Sequence, residues 1–220
     1  MSPVALWRFK TICHFLLWAA LFNSCNAVYF KAMEKAGIPK RDILVSRVKK
    51  ARHSQEEAKE EFQDALQEFM SVVEVDGGEL EEKYNKLNAR LERSESRAQE
   101  VRDRIAKVEG VADALFREWK TELDQYKNAK LRRESERQYH ATQRRYEDLL
   151  EAMHNAEDKM DPVLEAFRDQ VLFLKHNLNS RAIASIKKET RSIENDVENL
   201  VKDMEEAIHE ADSFIAQLGK

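Results

Sequence analysis

Between Pro162 and Ile186 the chain returns to an apolar side chain every three or four residues. Val163, Phe167, Val171, Leu174 and Leu178 mark the interval, and Leu164 and Leu172 widen the stripe. That period puts the side chains on one face of an α-helix. A helix with one apolar face must cover it against another element, so a chain of such stripes is constrained to pack helix on helix. Polar signals bracket the stretch. Asp161-Pro162 caps or kinks a helix at its start, and Asn177-Leu178-Asn179-Ser180 supplies a reversal near its end.

The same spacing runs through the rest of the chain. Asp42 is placed to cap a first helix with the stripe Leu44, Val48, Ala51, Gln55, Ala58, Phe62, Ala65, Phe69 and Val72, a heptad with one polar interruption. Asp76-Gly77-Gly78 tolerates the left-handed backbone a reversal needs. A second helix from Glu79 carries Leu80, Tyr84, Leu87, Leu91, Ser94, Ala98, Val101, Ile105, Val108, Ala112, Leu115, Trp119 and Tyr126, and continues through Gly110. The next turn is expected at Asn128-Ala129-Lys130. The third helix runs from Tyr139, Thr142 and Tyr146 through Leu149, Met153, Ala156 and Met160 into the Pro162 stretch, where the surviving heptad predicts a kink rather than an end. A fourth carries Ile183, Ile186, Thr190, Ile193, Val197, Leu200, Met204, Ala207, Ala211 and Ile215 and stops at Gly219. The expected fold is all-α: an elongated antiparallel four-helix coiled-coil bundle, up-down-up-down. The longer second and third helices project past the other two as a hairpin tip.

Composition agrees. About half of the chain is Ala, Glu, Lys, Leu or Arg, with 35% charged residues and only 5 Gly and 3 Pro. Acids and bases alternate along the helices at a net charge of −4, so no nucleic-acid footprint stands out. No flexible linker divides residues 41–219, which are expected to form one long-helix bundle domain behind an anchor and connection at 25–40. Within that connection, Gly37-Ile38-Pro39 interrupts any helix begun at Tyr29.

Residues 1–24 read as an export signal. Arg8 and Lys10 precede the apolar run Thr11–Phe22, which is shorter than the roughly 20 residues that span a bilayer. An uncleaved anchor is the alternative if the run is counted from Leu6. Two cuts compete behind the run. Phe22-Asn23-Ser24-Cys25 matches a lipoprotein leader, in which the cysteine is acylated and becomes the new N-terminus. An ordinary signal-peptidase cut after Ala27 is the other. Cys13 leaves with the leader in both cases, so the mature chain has at most one cysteine and no internal disulfide. Acylation of Cys25 would anchor the chain stably on a membrane, facing the periplasm.

Several blocks resemble the bacterial domain-of-unknown-function family 2959, whose members are mostly predicted lipoproteins or exported proteins. The blocks are CNAVYFKAMEKAGIPKRDILVSRV, VDGGELEEKYNKLN, RIAKVEGVADALFREWKTELDQY, LRRESERQ and DPVLEAFRDQVLFLKHNLNSRAIASI. They include the punctuation at Asp76-Gly77-Gly78, Asp161-Pro162 and Asn177–Asn179 as well as the coil. The resemblance implies a cell-envelope location and a lipid on Cys25, since a cysteine precedes the Tyr-rich connection in such relatives. It implies no particular activity.

Chemistry is sparse. Two Glu-x-x-His motifs, Glu151/His154 and Glu206/His209, have the spacing used by di-iron bundles. The heptad puts all four residues on outer positions, however, while Leu149, Met153, Met204 and Ala207 hold the core. None of Gly37, Gly77, Gly78, Gly110 and Gly219 begins a phosphate-binding motif, and no G-x-S-x-G elbow or H-E-x-x-H helix occurs. No catalytic, cofactor-binding or metal-binding residue is therefore expected. Two surfaces carry the functional expectations. A basic tip at Lys127, Lys130, Arg132 and Arg133 would face anionic headgroups. The opposite end, at Asp76, Gly77, Gly78, His176, Asn177 and Asn179, would dock a protein partner, although capping explains the asparagines more simply. The expected role is a non-enzymatic envelope lipoprotein acting as a helical scaffold or adaptor. The alternative is a membrane-surface sensing or remodelling protein that uses the tip.

Overall fold

The computed structural model describes residues 29, 30, 32–73 and 80–219, and among them there is no β-strand. Four long helices, α1 (Lys40–Val73), α2 (Leu80–Leu123), α3 (Ala129–His176) and α4 (Ser180–Leu218), pack on one another around a continuous apolar core. The leader, Cys25 and the reversal at Asp76-Gly77-Gly78 lie outside the described residues.

A short helical stretch precedes α1 and stops at Gly37. Gly37 N–H donates to the carbonyl of Glu34 at 2.9 Å, and Ile38 N–H donates to that of Met33 at 3.0 Å. Gly37 has φ 79°, the left-handed conformation that this paired closure needs and that glycine adopts without strain. Pro39 then opens α1, its carbonyl accepting from Ile43 N–H at 3.2 Å. Asp42 therefore sits inside the first turn rather than at the cap that the sequence suggests. Its carboxylate faces the positive end of the helix dipole.

All nine predicted stripe residues of α1 are buried, Gln55 included. The α2 stripe is buried from Leu80 to Ala112 except for a half-exposed Tyr84, and opens at Leu115 and Trp119. Tyr126 is exposed, because α2 ends at Leu123 and the turn occupies 124–128. The turn thus falls earlier than the expected Asn128–Lys130. Asn128 is the N-cap of α3, its Oδ1 accepting from Lys130 N–H at 2.9 Å and Leu131 N–H at 3.3 Å.

Helix α3 passes through Pro162 unbroken. An interior proline costs about 3 kcal/mol, and the flanking burial of Met160, Val163, Leu164 and Phe167 offsets it. Leu172 and Leu178 depart from the expected stripe, Leu172 being 58% exposed and Leu178 41%. Val171 and Leu174 hold the heptad positions on either side of Leu172, and Leu178 falls in the turn between α3 and α4. In α4 the burial phase is Ala182, Ile186, Ile193, Val197, Leu200, Met204, Ala207, Ala211, Phe214 and Leu218. Phe214 thus takes the place expected for Ile215, which is only partly covered.

Ion pairs tie neighbouring helices. Glu57 and Glu61 of α1 meet Arg97 at 3.0 Å and Arg90 at 3.2 Å on α2. Arg52 and Lys59 of α1 reach Asp212 at 3.1 Å and Glu205 at 3.5 Å on α4. Asp161 and Arg168 of α3 pair with Arg102 at 2.6 Å and with Glu95 on α2. Partly exposed pairs of this kind stabilise by about 1 kcal/mol each, so they set alignment more than stability.

Candidate functional site

Lys40 pairs with Glu118 at 3.0 Å where α1 begins beside α2. Past that pair α2 runs on to Leu123 and α3 begins at Ala129, a short two-helix end called the arm below. The contacts around its base are aromatic: Phe116 meets Tyr139 edge-on at 5.7 Å, Trp119 meets Tyr139 at 5.7 Å, and Trp119 Nε1 donates to Ser135 Oγ at 2.8 Å. Edge-to-face rings add roughly 0.5–1.5 kcal/mol each beyond their burial, enough to brace a short arm that has only two helices to hide behind.

At the fork, where the arm leaves the rest of the molecule, lies a half-open cavity of about 430 Å³. Arg41, Glu118, Trp119, Arg145 and Leu218 are among its lining residues. Sequence reasoning missed it, because its walls come from four helices, although the unequal helix lengths signalled a fork.

At the end of the arm every residue from Lys120 to Glu134 is exposed except Leu123. The predicted tip residues are all exposed, Lys127 in the turn and Lys130, Arg132 and Arg133 at the start of α3. Arg132 is held by Asp124 at 3.0 Å, while Lys127, Lys130 and Arg133 form no ion pair among the described residues. Two apolar side chains stand among them, Tyr126 and a 55% exposed Leu131.

At the opposite end the asparagines are engaged in the backbone. Asn179 Oδ1 accepts from Arg181 N–H at 3.0 Å and Ala182 N–H at 3.2 Å, capping α4. Asn177 Nδ2 donates to the carbonyl of Phe173 at 2.9 Å, satisfying an end group of α3. His176 is exposed in the last turn of α3, where a cation suits the helix dipole. Asp76, Gly77 and Gly78 lie outside the described residues. What the sequence reading missed at this end is apolar: Leu172, Phe173 and Leu178 are all exposed. Strict heptad counting, with Val171 and Leu174 inward, would have found the first two.

The two Glu-x-x-His motifs do not converge. Glu151, Glu206 and His209 are exposed. His154 is half-buried, its Nδ1 2.8 Å from Glu157 and its Nε2 3.2 Å from Glu109. Burial by itself lowers the His154 pKa, but hydrogen bonds to Glu157 and Glu109 outweigh it and leave the net value above the ordinary 6.5. Among the described residues no helix is long and apolar enough to cross a membrane.

A family model described as a protein of unknown function (DUF2959) matches residues 29–218. No curated protein and no solved structure matches the chain.

Proposed function

The chain belongs to the DUF2959 family of proteins of unknown function, and we propose that it is a lipid-anchored, non-enzymatic scaffold or adaptor of the bacterial cell envelope. In this reading Cys25 carries the lipid and the helices form an up-down-up-down antiparallel four-helix bundle. The α2–α3 arm projects at one end and a partner-docking surface lies at the other. At 48 residues, α3 alone would span about 72 Å, a reach suited to holding a partner away from a membrane.

The observation that carries the adaptor role is where the large exposed apolar side chains fall. Tyr29 and Ile38 lie in the N-terminal stretch, Tyr126 and Leu131 at the arm, and Leu172, Phe173 and Leu178 at the far end. Tyr29 lies beside Arg47, Asp103 and Gly110, away from both ends, and α1 and α4 carry none among the described residues. Scattered apolar residues need no explanation, but the clusters at the arm and at the far end fit end-on contacts. The pairing of Arg52 with Asp212 and Lys59 with Glu205, and of Glu57 with Arg97 and Glu61 with Arg90, supports the bundle topology. In each set one number rises as the other falls, as neighbours running in opposite directions require. The charged start, short apolar run and Cys25 support the anchor.

Acyl-chain labelling of the wild type against Cys25→Ser tests the anchor, the wild type alone taking the label. Photo-crosslinkers at Leu172 and Phe173, compared with the exposed Asp158 nearer the middle of α3, test the adaptor role in cells. A protein adduct specific to the far end is expected. Adducts at Asp158 of equal yield, or none at Leu172 and Phe173, would sink it.

A further inference from the structure

We propose that the α2–α3 tip is a docking surface for an anionic lipid bilayer. Tyr126 and Leu131 enter the interfacial layer, and Lys127, Lys130 and Arg133 meet the phosphates. The inference deepens the envelope reading, but it does not need Cys25 to be acylated.

Three observations on the tip point the same way. First, three of its four cations, Lys127, Lys130 and Arg133, are left without an ion pair among the described residues, although acids are close at hand along both helices. The first turn of α3 contains no acid, as in α4, whereas α1 and α2 begin with Asp42 and with Glu81 and Glu82. Lys130, Arg132 and Arg133 thus stand where the helix dipole is positive and carboxylates would have stabilised the helix.

Second, the apolar pair is not needed by the core. Leu123 alone closes the end of the arm, while Tyr126 and Leu131 face outward from either side of the turn. A tyrosine ring with its hydroxyl in water, beside an aliphatic side chain and unpaired cations, is the combination found at headgroup level in membrane-bound proteins.

Third, the arm is built to present the tip. The contacts of Trp119 with Ser135 and Tyr139 brace it at its base, and α2 runs on past Glu118 to its end at Leu123. At about 1.5 Å per residue that lifts the turn roughly 7–8 Å past the Lys40–Glu118 pair.

The occupant is a bilayer rather than an acidic protein or nucleic acid. The cations are interleaved with apolar residues that need a hydrocarbon boundary. They are also too few and too mixed with Glu122, Glu134 and Glu136 to make a phosphate-backbone track.

The test uses the full chain carrying Cys25→Ser, so that binding cannot come from an acyl group. It is sedimented with vesicles of phosphatidylcholine alone or mixed with phosphatidylglycerol. Binding is expected only to the phosphatidylglycerol vesicles and is expected to be lost in high salt. The variant Lys127→Glu/Lys130→Glu/Arg133→Glu should bind about a hundredfold more weakly. Tyr126→Ser/Leu131→Ser should weaken binding and abolish a blue shift from an environment-sensitive dye placed at the exposed Ala129→Cys, with Cys13 also replaced by Ser. Circular dichroism confirms that the exposed variants remain folded. Equal binding to both vesicle types, no binding, or full binding by the charge-reversed variant overturns the proposal. So does a duplex DNA that competes as well as phosphatidylglycerol. If the Cys25→Ser chain binds vesicles while the wild type takes no acyl label, the tip surface stands and the lipoprotein reading falls. The converse pair of results does the opposite.

Discussion

Arg41 Nε donates to the backbone carbonyl of Leu218 at 2.9 Å, tying the first turn of α1 to the last turn of α4. Its Nη2 reaches the same oxygen. Leu218 carries one of the four carbonyls that a helix leaves without an internal partner, so a guanidinium from another helix takes the part of a C-cap. The bond also joins the start of α1 to the end of α4 at the base of the arm.

Replacing Arg41 with Ala should therefore loosen the end of α4 more than the rest of the molecule. A charge-assisted hydrogen bond of this kind is worth about 1.5–3 kcal/mol, and partial exposure puts the expectation near the lower figure. Hydrogen exchange at the amides of Ile215 to Gly219 should speed up, with little change at Leu149 or Leu200. Uniform acceleration across all helices would contradict the local role.

Phe69 of α1 and Phe167 of α3 meet edge to face, ring centroids 6.2 Å apart, both fully buried. Phe167→Ala removes that contact and leaves a cavity, at an expected cost of about 3–5 kcal/mol in urea unfolding. Phe167→Leu should cost distinctly less. Equal losses for both variants would mean that volume is not what the site senses.

Gln55 occupies a core position at 0% exposure, and neither its Oε1 nor its Nε2 has a hydrogen-bond partner among the described residues. A buried amide in that state destabilises the fold, and its usual recompense in a coiled coil is a single alignment of the helices. Gln55→Leu should raise stability by about 1–2 kcal/mol. The check is a higher urea midpoint at unchanged slope. A lower midpoint would show that the amide makes a bond essential to the fold.

His154 binds Glu157 and Glu109 best as the imidazolium, and its pKa in the folded chain stands above the ordinary 6.5. The stabilisation is then fully present below the unfolded value and disappears as pH rises through the higher folded value. His154→Gln should lower the melting temperature at about pH 5 and leave it unchanged at about pH 9. The same loss at both pH values would assign the effect to packing instead. The side chain is partly exposed, so solvent screening keeps the difference small.

Most of the fold could be read from spacing. The 4-and-3 alternation from Leu44 to Val72 identified every buried position it named in α1, since helix period is a local property that neighbours do not alter. Reading through Pro162 and Gly110 also agreed with the structure, because the stripe on either side outweighed a single poor helix former. The errors sit at helix ends. Asn128 and Asp42 each fell one structural role away from expectation, because Asn, Asp and Ser are all competent at caps, first turns and reversals. The tip cations were legible as a basic run, but their lack of partners was not. Whether Arg132 or Arg133 meets Asp124 depends on the path of the turn.

What the residues decided unaided is that four long amphipathic helices form and that each must hide one face, because side-chain period and water's aversion to apolar surface act within a single helix. What only the assembled helices decided is which of several adjacent apolar residues turns inward. Phe214 is buried rather than Ile215, and Val171 and Leu174 rather than Leu172. Packing against neighbours likewise brings Tyr29 and Phe30 alongside Arg47 and Gly110. Such choices depend on where another helix leaves space, a quantity that has no value until the helices have met.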